Sequence, residues 1–390
     1  MVLKITSKHI KANLQANAVT YQNERYQSSK GIRTMIMTPM QYMQRFHKLS
    51  PERKDVYKKM QKAFIAGKVK MGLFTDSTTV MESDPRYLQS YSQKGYLESG
   101  DYMDFHDEAR ALRMRARNIQ YGTKLFGTWR NTASIYKIDE SVAPQAMSSI
   151  IPSETPSEIY VNLPEWAVYV ELPSICDIEI PYIRRADHNC KDSNEEVRAK
   201  MLGFWATHDR VVHKGKQYLC LDIFWHPAQE DDVKLHEMLI APFRLLLSPD
   251  MTVFESFKEG YGIDEDTFNA LPIKQVLSLL LWLCVEEPDV TNIKGVKMSR
   301  ADLKLPRYAR NKKSGAFVPP MQETYFEIAK RMGGEVREWN KEIEASSASN
   351  TPTRKAPHIR RGHWNGVWIG SGSNKTYKVY WQKPLFINAK

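Results

Sequence analysis

The sequence predicts an α+β protein with an N-terminal helical part, a mainly antiparallel β middle region followed by helices, and a small C-terminal β-hairpin module. Three observations carry this expectation. Helical periodicity and capping residues begin near Met37 and recur to about Tyr136, β-branched and aromatic runs begin after a Pro/Ser-rich break, and two aromatic runs flank a glycine-rich turn near the end. With 42% hydrophobic and 26% charged residues over 390 positions, the chain can bury a sizeable core, and two or three domains are expected.

In chain order, residues 1–54 read as a basic arm or extension, partly flexible, and residues 55–150 as a helical domain. Ser50 followed by Pro51 and Glu52 is a strong helix start, after which Val56, Met60 and Phe64 recur at helical spacing. A second helical segment is expected from about Asp101 to Tyr136, broken near Gly122 and Gly127. "PSETPSE", residues 152–158, reads as a linker. Residues 151–290 then read as an acidic mixed β/α domain. "IYVNLPEWAVYVEL" is strand-like, "LGFWATHDRVVHKGKQYLCLDIFWH" is a hairpin joined at Lys214 and Gly215, and Pro272 to Glu287 is a buried helix ended by Pro288. Residues 291–345 read as a basic helical segment, with Ser299 as a helix cap and a helix from Gln322 to Ala345 interrupted at Gly333 and Gly334. Residues 346–355, "SSASNTPTRK", form a linker, and 356–390 a basic aromatic hairpin module around "GSGSN".

Charge divides the chain in the same way. Residues 1–118 hold 21 Lys+Arg against 11 Asp+Glu (+10), residues 119–290 hold 15 against 27 (−12), and residues 291–390 hold 20 against 7 (+13), which together give the net +11. Basic ends suit polyanions, and an acidic middle suits a cationic partner or the protein's own ends. The four cysteines, Cys176, Cys190, Cys220 and Cys284, are widely spaced and read as reduced thiols of a cytoplasmic protein. The longest apolar run, Val276 to Val285, is half the length that crosses a bilayer, so no membrane role is expected.

The densest chemistry lies in "PHIRRGHWNGVWIG", residues 357–370. His358, Arg360, Arg361 and His363 beside Trp364 combine phosphate forks with a stacking face, the usual equipment for single-stranded RNA or for a ribosomal surface. Trp368 and Trp381 read instead as the core of the hairpin. A histidine among arginines also permits a metal-independent ribonuclease with His363 as its acid-base group. No second matched group is visible in the sequence, so the reading favours binding over catalysis. In the acidic region, Trp166, Tyr169, Trp205, Phe224 and Trp225 are core by default. Adjacent Phe224 and Trp225 cannot both face one side of a strand, so one of them, with Trp166 and Asp222, is the candidate surface for a basic, apolar peptide. Asp187, His188 and Cys190, with Cys176 upstream, fit no zinc spacing, and His208 and His213 fall on opposite faces of a strand; no metal and no cofactor are expected.

The segments "KLFGTWRNTASIYKIDE", "IYVNLPEWAVYVEL", "LLLWLCVEEPDVT", "NKKSGAFVPP", "RMGGEVREWN" and "PHIRRGHWNGVWIGSG", with "YKKMQKAF" earlier, resemble the second subtype of the type V-A anti-CRISPR proteins. The resemblance covers about residues 55–70 and 124–390, so this chain is a longer relative. It implies an inhibitor, carried by a phage or plasmid in the cytoplasm of a bacterial host, that lowers production of the type V-A CRISPR effector nuclease. The partners it implies are the nascent N-terminal segment of that effector, its mRNA or the ribosome, and a host ribonuclease. Arg360, Arg361, Gly362, His363, Trp364 and Trp368 match the family motif. Asn365 departs from it, standing where the family tends to have histidine. The competing classes are an RNA-cleaving enzyme and a mobile-element interaction protein that only docks on a protein partner.

Overall fold

The computed structural model describes residues 34–35, 38–48, 125–126, 128–176, 178–185, 194–230, 242–304, 309–310, 317–318, 320, 322–348 and 358–387. The expected helix after Ser50 and most of the segment from Asp101 lie outside these residues, as do Asp187, His188 and Cys190. In chain order the strands are β1 (Thr34–Met35), β2 (Ser134–Ile138), β3 (Ala167–Glu171), β4 (Glu179–Arg185), β5 (Asn194–His213), β6 (Lys216–Pro227), β7 (Gln229–Glu230), β8 (Phe243–Leu247), β9 (Val290–Asn292), β10 (Ala309–Arg310), β11 (Phe317–Val318), β12 (Thr324–Ile328), β13 (His358–Arg360), β14 (His363–Ile369), β15 (Thr376–Gln382) and β16 (Leu385–Ile387). The helices are α1 (Pro39–Lys48), α2 (Ala143–Ser148), α3 (Val253–Tyr261), α4 (Glu265–Ala270), α5 (Ile273–Cys284), α6 (Arg300–Leu303) and α7 (Lys330–Ala348).

An eight-stranded sheet in the order β8-β6-β5-β3-β2-β12-β9, with β4 also on β5, forms the centre. It is mixed rather than wholly antiparallel, because β2 pairs parallel to both β3 and β12. The long hairpin β5–β6 turns where expected: Lys214 (φ 47°) and Gly215 (φ 76°) adopt the left-handed backbone of a tight two-residue loop. Helix α5 is buried along its length from Val276 to Cys284, as its apolar sequence requires. Ser299 caps α6, its hydroxyl accepting from the Asp302 N–H.

Three expectations change. The stretch from Ser134 to Ile138 is a strand and not a helix end, its alternate residues packing on opposite faces of the sheet. Residues 324–328, "TYFEI", are likewise a strand rather than the start of the last helix, because their β-branched and aromatic character decides over a continuous helical reading. Helix α7 then runs unbroken through Gly333, where a side chain would collide with the Asp139 carboxylate; that same carboxylate takes the Arg337 guanidinium at 2.8 Å. The boundaries expected at 150/151 and 290/291 fall inside this one sheet, and one core cluster gathers residues from Tyr136 to Val379.

The sheet is covered twice. One face packs on α5 and α2 through Tyr136, Val168, Phe204, Trp225 and Leu221. The other packs on Tyr42 and Met43 of α1 and on Leu125, Phe126 and Trp129, through Ile135, Tyr169, Trp205 and Phe224. This explains an aromatic-rich strand set without clean alternation of polar and apolar residues.

Candidate nucleic-acid and peptide interface

The C-terminal strands fold as two ribbons, β13 with β16 and β14 with β15. They are anchored to the central core. Trp364 is only 3% exposed, its indole N–H donates to Ser278 Oγ of α5 at 2.9 Å, and its ring packs edge-on to Trp282 and Trp381. Ser149 Oγ accepts the Trp364 backbone N–H at 3.0 Å, and Gln145 Oε1 accepts that of Gly362 at 3.1 Å. Trp339 of α7 stacks on Phe386 of β16. Trp364 therefore offers no face to a base, and its expected stacking role is corrected: it is the bolt that holds the ribbon to α5.

Around this anchor the cations stay outside. Alternation along β13 leaves His358 and Arg360 exposed with Ile359 half-buried between them, and Arg361 is exposed as well. His363 is half-buried, and among the described residues it hydrogen-bonds to no carboxylate and no second histidine. From Ala345 to Lys390 the sequence has no Asp or Glu, so the charges this segment itself contributes are all basic. Among the described residues, Glu286 reaches into it and takes Lys378 at 2.6 Å, and the Glu154 carboxylate lies close enough to act on the Tyr377 hydroxyl.

At the end of the β14–β15 ribbon Tyr377 packs back on the core, while the outer residues of β14 are exposed. Val367, Trp368 and Ile369 are 42%, 46% and 47% exposed, so Trp368 is not the hairpin core that its alternation suggested. Tyr377 packs edge-on to Trp368 and lies across Gly366, where any side chain would strike its hydroxyl. Trp381, nearer the anchor, is half-buried against the core as expected.

The candidate peptide surface of the middle region is internal. Phe224 and Trp225 are 1% and 4% exposed, one on each covered face of the sheet. Asp222 is fully buried and grips the Arg244 guanidinium through two bonds of 2.6 and 2.7 Å, while Asp209 takes the same group at 3.2 Å. Asp209, Cys220 and Asp222 bring potential metal-ligating atoms within 4.8 Å of one another, but Arg244 already supplies their cation. Trp166 is half-buried with its ring edge-on to His208. The expectation that one of Phe224 and Trp225 is displayed, with Asp222 beside it, is thus corrected, because a sheet covered on both faces can hide adjacent aromatics on opposite sides.

Two buried histidines carry pKa shifts. His226 sits among Tyr42, Tyr169 and Trp205, and burial pushes it down to about 3, so it is neutral; its Nδ1 and the Tyr169 hydroxyl share a hydrogen bond of 2.7 Å. Burial also lowers His208, whose Nε2–H donates to the Tyr160 carbonyl at 2.9 Å. His213 instead pairs with Glu259 of α3 at 2.9 Å, so the two histidines share no ligand. Neither the aromatic box around His226 nor the exposed ribbon end was visible from residue types alone; the signal available for the latter was its three consecutive apolar residues beside a glycine-rich turn.

Residues 136–389 match the AcrVA2-like, anti-CRISPR type V subtype A2, family. Among solved structures, one described as the crystal structure of AcrVA2 shares 32% sequence identity, covers 89% of this chain and 97% of its own, and superimposes with a TM-score of 0.63. No curated protein matches the chain. Among the described residues, no helix is long and apolar enough to cross a membrane.

Proposed function

Because the chain belongs to the AcrVA2-like anti-CRISPR type V subtype A2 family, we propose that it lowers production of a type V-A CRISPR effector by recognising the effector's nascent N-terminal segment on the ribosome and promoting loss of the message. In this reading His358, Arg360, Arg361 and His363 contact mRNA or ribosomal RNA, and a host ribonuclease cuts. The observation that carries it is the acid-free C-terminal region, in which exposed His358, Arg360 and Arg361 are presented by strands bolted to the core. A cationic surface held in fixed register can dock on a phosphate backbone without ordering a loose tail first.

Arginine forks bind phosphate bidentately, so charge alone should not suffice. The test is effector mRNA in cells expressing the inhibitor. The Arg360→Ala, Arg361→Ala pair is expected to abolish message loss and RNA association, Arg→Lys at both is expected to impair them, and His363→Asn is expected to retain both. If His363→Asn abolishes message loss while RNA binding persists, the binding reading fails in favour of RNA cleavage by this chain.

A further inference from the structure

In an antiparallel pair, the N–H and C=O of one residue point to the same side, and successive residues alternate. The Trp364 N–H leaves β15 to reach Ser149. By the same alternation, the N–H and C=O groups of Gly366 and Trp368 also point away from β15, toward an edge that no strand among the described residues occupies. The two edges of this ribbon differ in kind. On the β15 side Lys375, Lys378 and Lys383 provide the charges that natural proteins use to stop further strands from adding. On the β14 side, His363 to Ile369 contains no Lys, Arg, Asp or Glu, and Val367, Trp368 and Ile369 are all exposed. Open backbone groups with exposed apolar neighbours and no guarding charge are a liability unless something binds there.

We propose that the free edge of β14, at Gly366 to Ile369, receives the nascent effector segment as an added β-strand. This rests on the nascent-peptide reading given above and assigns it a place. A chain leaving the ribosome is extended and offers backbone groups before any folded surface exists, and strand addition recognises that backbone, with side chains read at alternate positions. Val367 and Ile369 provide an apolar strip on the outward face, while on the other face Tyr377 fills the space over Gly366 and Trp368 adds an apolar wall beside it. The absence of acids from Ala345 onward selects a segment whose charged positions are acidic.

Residue-resolved amide exchange on the full-length protein, with and without a synthetic peptide of a type V-A effector's N-terminal segment, tests this. The peptide is expected to slow exchange of the Gly366 and Trp368 amides by about tenfold or more. The same peptide N-methylated at the alternate residues of its pairing edge is expected to bind about tenfold or more weakly, since it cannot donate those bonds. Val367→Lys, which places a guarding charge on an exposed position, is expected to weaken binding without loss of folding. Peptide binding that leaves both amides exchanging freely and tolerates N-methylation overturns the inference and leaves the nascent-peptide reading intact. If the peptide does not bind at all, that reading falls and the inference falls with it. Protection of the two amides by a single-stranded RNA oligomer, and not by the peptide, overturns the inference in favour of a nucleic-acid surface.

Discussion

In the β5–β6 hairpin, Phe224 and Trp225 point to opposite faces of a sheet that is covered by α5 on one side and by α1 with Leu125, Phe126 and Trp129 on the other. In the β14–β15 ribbon, Val367 and Trp368 point to opposite faces of two strands that the core covers on one face, through Trp364, Val379, Tyr377 and Trp381, leaving both Val367 and Trp368 exposed. Both are aromatic-rich hairpins turned by glycine, yet one buries its adjacent pair and the other shows it. What decides between them is what lies over the second face, which is settled by distant segments and not by the hairpin itself. The charges follow the same rule: Asp222 is spent inside on Arg244, whereas His358, Arg360 and Arg361 remain at the surface.

The contrast can be broken most sharply by removing a side chain from the hidden pair. Phe224→Ala is expected to cost about 3–5 kcal/mol in chemical denaturation, the range for a large aromatic removed from a packed core. A cost under about 1 kcal/mol would mean that the second face is not sealed, and would revive the displayed-aromatic reading.

Acid should act on the same region. His226 is held far below its ordinary 6.5, at about 3, by burial, so the unfolded chain binds its proton first as pH falls. The sign is therefore destabilising: no cost above about pH 6.5, a loss of about 2 kcal/mol by pH 5, and continued loss toward pH 3, with buried His208 acting in the same direction. Urea midpoints measured from pH 7 to 5 should show this slope, and His226→Gln should flatten it; an unchanged slope would place the sensitivity elsewhere.

At the ribbon's anchor, Trp364→Phe deletes one buried hydrogen bond to Ser278 and is expected to cost about 1 kcal/mol, with RNA affinity unchanged. A large loss of RNA affinity at unchanged stability would return Trp364 to the stacking role. Trp368→Ala, at the exposed end, is expected to move stability by less than about 0.5 kcal/mol.

The sequence was most legible where local signals act alone. The Lys214-Gly215 turn, the all-apolar helix before Pro288, the Ser299 cap and the hairpin around Gly370 to Asn374 each follow from short-range chemistry. It was least legible where coverage by remote residues decides. Strand β2 pairs with β12, nearly two hundred positions away, so the expected domain boundaries cut through one sheet. Trp364 and Trp368 share a strand face, yet one is core and the other displayed, because α5 reaches only the first. The cationic residues His358, Arg360 and Arg361 were readable as a group, since charge seldom goes inside without a partner.

The central claim, that the effector's message is lost because its nascent N-terminal segment is recognised, is tested most directly by a reading-frame experiment. Two effector messages are compared in cells with and without the inhibitor. They differ by compensating frameshifts, so that the RNA is nearly identical while the N-terminal peptide is scrambled and the remainder stays in frame. The account predicts loss of the native-frame message and survival of the scrambled one. Equal loss of both would contradict it and place recognition on the RNA.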